Sequence, residues 1–463
     1  MKEKTFPMKI GLEVHGYLDT TEKLFCMCKT EKGCDRIEVP NSRICPICTG
    51  QPGSKPMAAN NAAVEKFIQI ALVLGSKINY GGQIWHRKHY DWADNPKGYQ
   101  TTISGAHVAP SSIGGKFDGI SITEAHLEED PAQWNPETGR INYNRSGLPL
   151  IEIVTEPEFS DADQVIQWLK SLILSLSYIK ALRKNAGIKV DVNISTYGDR
   201  VEVKNLNSLE KIRKAIGYEV LRQIENHEKG IIQERETFAF DEKIGKTFKM
   251  RSKEGAADYR FIPDPDLAVI KIDKKLVNEL KTNLPEMPNV KLSKLLKKFK
   301  VDKKNAEILT RNLELVEFFE VISMMGIDMG KNISWITIEL LRVLNYNKKT
   351  LEDSDVDIKP AHLAELIKLV EKGSITVLKG KQIMNDFVPK SFSILEKGDI
   401  EKISDEAVKN LCRQVIDENS HVVEEYKLGK EASLNYLIGQ VMRLSERRAD
   451  FKVAGDTLKK LIE

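Results

Sequence analysis

The sequence predicts an α+β fold, with a mainly antiparallel sheet interleaved with helices through about residue 270 and a helical remainder. Three observations carry this. Apolar and polar residues alternate with period two in several separate stretches of the first part. Helical patterns at about 58–74, 161–182 and 207–227 interrupt these strands, and strands and helices follow one another in mixed order. After Pro263-Asp264-Pro265-Asp266 the pattern becomes helical.

The first strand is the plainest. Met8, Ile10, Leu12 and Val14 alternate with Lys9, Gly11, Glu13 and His15, so one side is apolar and the other polar. Ser121, Thr123, Ala125 and Leu127 alternate with Ile122, Glu124, His126 and Glu128. The run Leu148–Val154 is apolar around Glu152, and a carboxylate there costs several kcal/mol unless cations or donors compensate it. Val190, Val192 and Ile194 alternate with Lys189, Asp191, Asn193 and Ser195, and Val201 and Val203 with Glu202 and Lys204. Beyond a lysine-rich segment with Pro285 and Pro288, helical stripes follow. They comprise Ile333, Ile336, Leu340 and Leu344, then Leu363, Leu366, Ile367 and Val370, then Leu434, Leu437, Ile438, Val441 and Met442. Ser391–Ser404 reads as a linker between helical units.

The 463 residues suggest about three domains of ~150 residues. Seventy basic and 67 acidic residues nearly cancel to +3, which is not the composition of a dedicated nucleic-acid binder. One basic segment stands out. Residues 281–305 carry eight lysines against Glu286 and Asp302, and read either as a solvated helix face or as nonspecific phosphate contacts. No apolar run approaches ~18 residues, so no membrane span is expected. The N-terminal stretch lacks the apolar core of a signal peptide.

Six cysteines, four of them clustered, point to the reducing cytoplasm and a metal rather than disulfides. Cys26-Met27-Cys28 and Cys45-Pro46-Ile47-Cys48, sixteen residues apart, can close a tetrahedral zinc site; the alternative is a set of small buried thiols. Cys34 lies between the pairs as a competing ligand. A filled four-thiolate site has no open position, so its role is architectural. Cys412 falls on a helical pattern and reads as core.

If the strands share one sheet, Glu13 and His15, then Glu124, His126 and Glu128, then Asp191 with Asn193 form an acidic face. Such a face either meets water or binds cations; Glu152, apolar on both sides, favours cations. Hard oxygen donors suit Mg²⁺, which keeps open positions for phosphate oxygens. Arg87, Lys88, Lys97, Arg145, Lys204, Arg251, Lys253 and Arg260 lie in polar motifs of the same region. They are either surface residues or the converging cations that phosphoryl transfer needs. No GxxxxGK[ST] loop, no GxGxxG after a strand and no GxSxG elbow occurs. Two further classes fit less of the chain. A noncatalytic RNA-binding scaffold does not explain Glu152, and a zinc hydrolase built on His15 and His126 lacks HExxH.

GLEVH, KLFCMC, CPICTGQPGSKP, RKHYDWADNPKGYQ, HLEED, NRSGLPLIEIVTEP, VDVNIS, VKNLNS, MRSKEGAADYRF and PDPDL, in this order, resemble the B-subunit family of aspartyl/glutamyl-tRNA amidotransferases. LNYLIGQVMRLSERRAD is similar to that family's tail. The related archaeal E subunit has a large inserted domain for which this motif order leaves no room. The resemblance implies a glutamine-synthetase-like cradle domain with the zinc knuckle (1–290), a helical domain (291–400) and a YqeY-like helical tail (401–463). It implies a ligase that forms a C–N bond with glutamine as amide donor. ATP and Mg²⁺ serve to phosphorylate the side-chain carboxylate of Asp-tRNA(Asn) or Glu-tRNA(Gln), and ammonia then displaces phosphate. The implied partners are the misacylated tRNA, an amidase-like glutaminase that forms the A subunit, and the small C subunit, with the tail meeting the tRNA elbow.

Carried onto this chain, the resemblance makes Glu13, His15, Glu128 and Glu152 the magnesium set, and Cys26, Cys28, Cys45 and Cys48 the zinc set. Lys88, Lys97, Glu128 and Glu152 would do the chemistry. Tyr90, Arg145, Lys204, Arg251 and Arg260 would hold ATP, and Glu129 would line the ammonia route. The chain reads HYDWADNPK where the family commonly has NYFYPDLPK, and Lys189 stands at a usual arginine, which removes a bidentate contact there.

Overall fold

A computed structural model describes residues 7–30, 39–90, 92–105, 108–184, 187–252, 260–396 and 401–462, without the side chains of residues 251 and 252. The chain divides into two compact units, Met1–Met287 and Pro288–Glu463.

In the first unit the main strands are β1 (Lys9–Tyr17), β2 (His86–His89), β3 (Tyr99–Thr102), β4 (Ile120–Glu129), β5 (Pro149–Thr155), β6 (Ile188–Ser195), β7 (Val201–Leu206), β8 (Glu236–Asp241), β9 (Lys246–Ser252) and β10 (Arg260–Pro263). They lie in the order β9-β8-β7-β6-β1-β5-β4-β3-β2-β10, within a sheet of thirteen strands among the described residues. Only β7 and β8 pair in parallel along this path. The expected mixed architecture, mainly antiparallel and then helical, is what forms.

Alternation decides which face is buried. Leu12 and Val14 of β1, Ile151 and Ile153 of β5, Ala125 and Leu127 of β4, and Val190 and Val192 of β6 are each no more than 2% exposed. This face shares one core with α1 (Asn61–Val73), α2 (Ala162–Tyr178) and α3 (Leu209–Glu228). Each helix begins where a polar side chain accepts an otherwise orphaned amide: Asn60 from Ala62, Asp161 from Gln164, Ser208 from Lys211. Because successive side chains point to opposite faces, burying Leu12 and Val14 leaves Glu13, His15 and Tyr17 on the other side. A short helix α4 (Lys274–Thr282) ends the unit.

One irregularity matters. Between the pairs Val190↔Leu206 and Val192↔Val203, β6 contributes only Asp191 while β7 contributes Lys204 and Asn205. This is a bulge. Asn205 takes φ +62° there, and its amide donates to Asp191 Oδ1 at 2.7 Å.

The second unit is helical: α5 (Pro288–Lys297), α6 (Lys303–Leu309), α7 (Leu313–Ser323), α8 (Met329–Asn332), α9 (Leu341–Tyr346), α10 (Pro360–Glu371), α11 (Val377–Asn385), α12 (Asp405–Glu418), α13 (Ser420–Lys427), α14 (Glu431–Leu444) and α15 (Phe451–Ile462). The stripe through Ile336 and Leu340 is not a regular α-helix. A π-helical turn, Trp335–Leu340, joins α8 to α9 and buries Trp335 and Glu339 beside the stripe. The lysine-rich segment is partly structural, since Lys291 and Lys294 of α5 pair with Glu320 of α7 at 2.6 and 3.3 Å. Helices α12–α15 share a core containing Val408, Cys412, Leu437, Val441 and Leu458. No helix among the described residues is long and apolar enough to cross a membrane.

Candidate functional site

The register of three strands sets a row of ionisable groups side by side: His126 on β4 faces Glu152 on β5, which faces His15 on β1. His126 Nε2 lies 3.1 Å from Glu152 Oε2, and His15 Nε2 lies 3.6 Å from the same oxygen. Glu128, two residues along β4 from His126, brings Oε1 to 3.9 Å from His15 Nε2. Burial works against a charged His15, but Glu152 and then Glu128 outweigh it and push it up to about 9. His126, fully buried, is likewise pushed up to about 10 by Glu152 and Glu124. Burial alone would raise Glu152; the two histidines reverse this and hold it well below the usual carboxylate range. Burial and the neighbouring Glu152 raise Glu128, opposed by His15 and Lys88.

A second group lies across β1, β6 and β7. Glu13 faces Asp191, and Asn193 faces Glu202. Asn193 donates to Glu13 Oε1 at 3.0 Å, while its own buried Oδ1 has no hydrogen-bond partner among the described residues. Thr237 of β8 donates to Glu202 Oε2 at 3.2 Å. Lys204, two residues along β7 from Glu202 and so on the same face, brings its Nζ to 2.8 Å from both Asp191 and Glu202. Burial, then Glu152 and Glu202, raise Glu13.

In each group, His15/Glu128/Glu152 and Glu13/Asp191/Glu202, one donor atom per residue lies within 4.8 Å of the others. An octahedral ion with bonds of about 2.1 Å spans its ligands by about 3–4 Å, so both groups fit a small divalent cation. Glu13 thus sits in the neighbouring group and not among His15, Glu128 and Glu152. Asp191, Glu202 and the Asn193 oxygen are donors that the sequence does not single out as ligands, though strand alternation places Asp191 and Asn193 on the polar face. His126 is legible in the same way, as the residue two before Glu128.

The basic residues separate. Lys88, on β2, is near enough for its charge to act on Glu128. Lys204 stands inside the second group. Lys97 is committed to Glu129, which it meets in a short ion pair, and also reaches Thr101 Oγ1 at 3.2 Å. Arg145 donates its Nε–H to the Pro131 carbonyl at 3.0 Å and forms an ion pair with Asp130, Nε lying 3.0 Å from Oδ2. Tyr17 donates to the same Asp130 oxygen at 2.7 Å, and Lys189 donates to Tyr17 at 3.1 Å, a single contact. Tyr90 is half-buried at the end of β2. Arg260, exposed, faces His89 across β10 and β2, at the opposite end of the sheet order from Arg251, which pairs with Thr237. Lys253 and Cys34 lie outside the described residues.

The four cysteines converge. Cys26, Cys28, Cys45 and Cys48 place their sulfurs within 4.8 Å of one another, and Cys45 and Cys48 are 3.9 Å apart. Tetrahedral zinc with bonds of about 2.3 Å requires about 3.8 Å between sulfurs. The donor set therefore fits zinc. A hydrogen bond from Cys26, against the effect of burial, and the charge of Lys23 lower Cys48 to about 4, while the same bond and then burial raise Cys26. Gly50, at φ +66°, closes the second turn, where a side chain would meet the Pro96 carbonyl at 2.5 Å.

The histidines set a pH dependence for metal-free protein. Their unfolded value is about 6.5, whereas the fold holds protons on His15 to about 9 and on His126 to about 10. That stabilisation is complete below about 6.5 and is lost as pH rises through 9–10. Chelator-treated protein is expected to show a falling urea midpoint from pH 7 to 10, and Mg²⁺ to flatten the fall. A midpoint that rises over this interval would contradict the assignment.

Comparison with known families places the chain. The GatB/GatE catalytic domain model matches residues 8–278, which include all three groups, and a GatB domain model matches residues 317–462. The chain is 40% identical to the aspartyl/glutamyl-tRNA(Asn/Gln) amidotransferase B subunit of Methanocaldococcus jannaschii, over 98% of both chains. It is 39% identical to the protein of the same name from Methanothermobacter thermautotrophicus, over 96% of this chain and 97% of the relative. The Methanosphaera stadtmanae protein, also so named, is 39% identical over 98% of this chain and 99% of its own. Identity of this order along nearly the whole length places the chain in the B-subunit family of aspartyl/glutamyl-tRNA(Asn/Gln) amidotransferases.

Proposed function

We propose that the polar face of the sheet is the ATP- and Mg²⁺-dependent centre of a tRNA-dependent amidotransferase, on a glutamine-synthetase-like cradle. The observation that carries this reading is the pair of cation-sized acidic groups on adjacent strands, each with a lysine at hand. Divalent ions held there would neutralise the triphosphate and align it for in-line transfer.

The chain's own residues divide the work. His126 holds Glu152 in place, and Asn193 and Thr237 hold Glu13 and Glu202. Lys88 supplies positive charge beside Glu128, where a transferring phosphoryl group would sit. Lys204 supplies it in the second group. Lys97 and Glu129 form a fixed pair beside Thr101. A side-chain carboxylate oxygen of Asp or Glu on misacylated tRNA attacks the γ-phosphorus and ADP leaves; ammonia then attacks the acyl carbon and inorganic phosphate leaves.

Among the described residues the cysteines of the first unit are gathered as one metal-like set. They offer no nucleophile for releasing ammonia. A separate amidase-like glutaminase, the A subunit, held in place by the small C subunit, would supply it in the cytoplasm. Arg145, Tyr90, Arg251 and Arg260 remain proposed nucleotide contacts, Arg145 from its ion-paired position.

The reconstituted complex, given Asp-tRNA(Asn) or Glu-tRNA(Gln), glutamine and Mg²⁺, is expected to consume one ATP per amidated tRNA. It should also reveal which of the two it uses. Amidation without ATP consumption, or no amidation of either tRNA, would overturn the reading.

A further inference from the structure

Lys23 is 1% exposed and, among the described residues, has no carboxylate partner of the kind other buried lysines have. Lys291 faces Glu320, and Lys379 faces Glu446. Lys23 instead directs its ammonium to Cys48 Sγ at 3.3 Å and to the Tyr143 carbonyl at 3.1 Å. A buried ammonium is costly unless an anion compensates it. The Tyr143 carbonyl does not supply one; a thiolate at Cys48 does, and a metal ion bound there would keep that sulfur a thiolate. Four thiolates on Zn²⁺ carry a formal charge of −2, and one buried lysine brings it to −1.

The second hydrogen bond of Lys23 gives this charge a mechanical consequence. Tyr143 opens the turn that leads directly into β5 and Glu152. The same turn is tied to the cysteine centre twice more, by Ser146 Oγ donating to the Cys48 carbonyl at 2.7 Å and by Leu24 N donating to the Gly147 carbonyl at 2.8 Å. Lys23 N also donates to the Cys28 carbonyl at 3.0 Å, closing the first cysteine turn. One side chain therefore touches both the sulfur centre and the backbone that carries a site carboxylate.

We propose that Lys23 is a positioning residue of the cysteine centre, offsetting thiolate charge through Cys48 and fastening the 143–148 turn to the metal. The inference rests on zinc being held by the four cysteines, and not on the amidotransferase chemistry. Its test uses the full-length chain, zinc-loaded, with Lys23→Met, Lys23→Arg and Ser146→Ala.

Metal analysis comes first; native protein without zinc refutes the metal reading, and this proposal with it. With zinc present, Lys23→Met is expected to transfer zinc to a colorimetric chelator about 10–100-fold faster than native. It should also shift the thiolate-to-metal charge-transfer band of cobalt-substituted protein and speed amide exchange at 143–148. Ser146→Ala, which cuts a tie without changing charge, should leave zinc transfer within about twofold of native on the same scale. A folded Lys23→Met that holds zinc like native overturns the proposal, as does a Ser146→Ala that releases it equally fast. Should Lys23→Met fail to fold, Lys23→Arg decides. Arginine keeps the charge, so retained zinc supports the proposal, and loss of zinc or fold shows that shape and not charge is required, which overturns it.

Discussion

Changing Glu128 to Gln is expected to lower ATP- and Mg²⁺-dependent amidation by about 10²–10³-fold while leaving binding of misacylated tRNA nearly unchanged. Glu128 is nearly buried, 3.9 Å from His15, with the charge of Lys88 acting on it. Glutamine keeps its shape and removes its charge, so the strand ladder persists and the cation loses a ligand. Glu13→Gln, in the neighbouring group, should act in the same direction, because Asn193 can still donate to the remaining carbonyl oxygen. Phosphate release by the reconstituted complex and filter binding of the tRNA separate the two effects. Native rates in both variants would remove these carboxylates from the reaction.

Stripping the metal from the cysteine centre is expected to cost the first unit several kcal/mol of stability, below the roughly 10 kcal/mol of isolated zinc modules because a large core remains. The loss should extend to activity. The turn closed by Gly50 packs on Pro96, beside Lys97, and the Cys48 carbonyl holds Ser146, which precedes β5. Both segments would loosen together. Thermal scans with and without chelator, and of a Cys45→Ser variant, measure this. Coincident unfolding transitions for metal-loaded and stripped protein would contradict it.

Much of this site is legible in local sequence because its grammar is local. Alternation in β1 fixes that Glu13 and His15 share a face, and alternation in β4 fixes the same for His126 and Glu128. The cysteine spacing announces the sulfur cluster. What local sequence does not carry is which strands become neighbours. Glu13 is as near to His15 along β1 as strand geometry allows, yet the carboxylates gathered around it, Asp191 and Glu202, arrive from β6 and β7, far along the chain. Alternation with Val201 and Val203 puts Lys204 on the same face as Glu202, but only the pairing of β6 with β7 sets it against Asp191 as well.

The basic residues show the same limit more sharply. Lys97 and Arg145 lie in motifs as polar as that of Lys88, but their charges are taken by Glu129 and Asp130. Such pairing depends on tertiary packing and has no sequence period. Lys23, beside Thr20, Thr21 and Glu22, has the composition of a surface turn; only the folded turn reveals it as buried against sulfur. In the helical unit, the stripe through Ile336 and Leu340 is readable, while the π turn that buries Trp335 is not, since a single inserted residue leaves the apolar spacing almost unchanged.

The proposed centre requires two acidic groups on one sheet face to hold the ions that grip ATP. Diffraction at the manganese edge, from crystals soaked with Mn²⁺ and a non-hydrolysable ATP analogue, would locate those ions. One anomalous peak is expected among His15, Glu128 and Glu152 and another among Glu13, Asp191 and Glu202, with triphosphate oxygens completing both. Manganese and nucleotide bound elsewhere, with both sets of side chains bare, would contradict it.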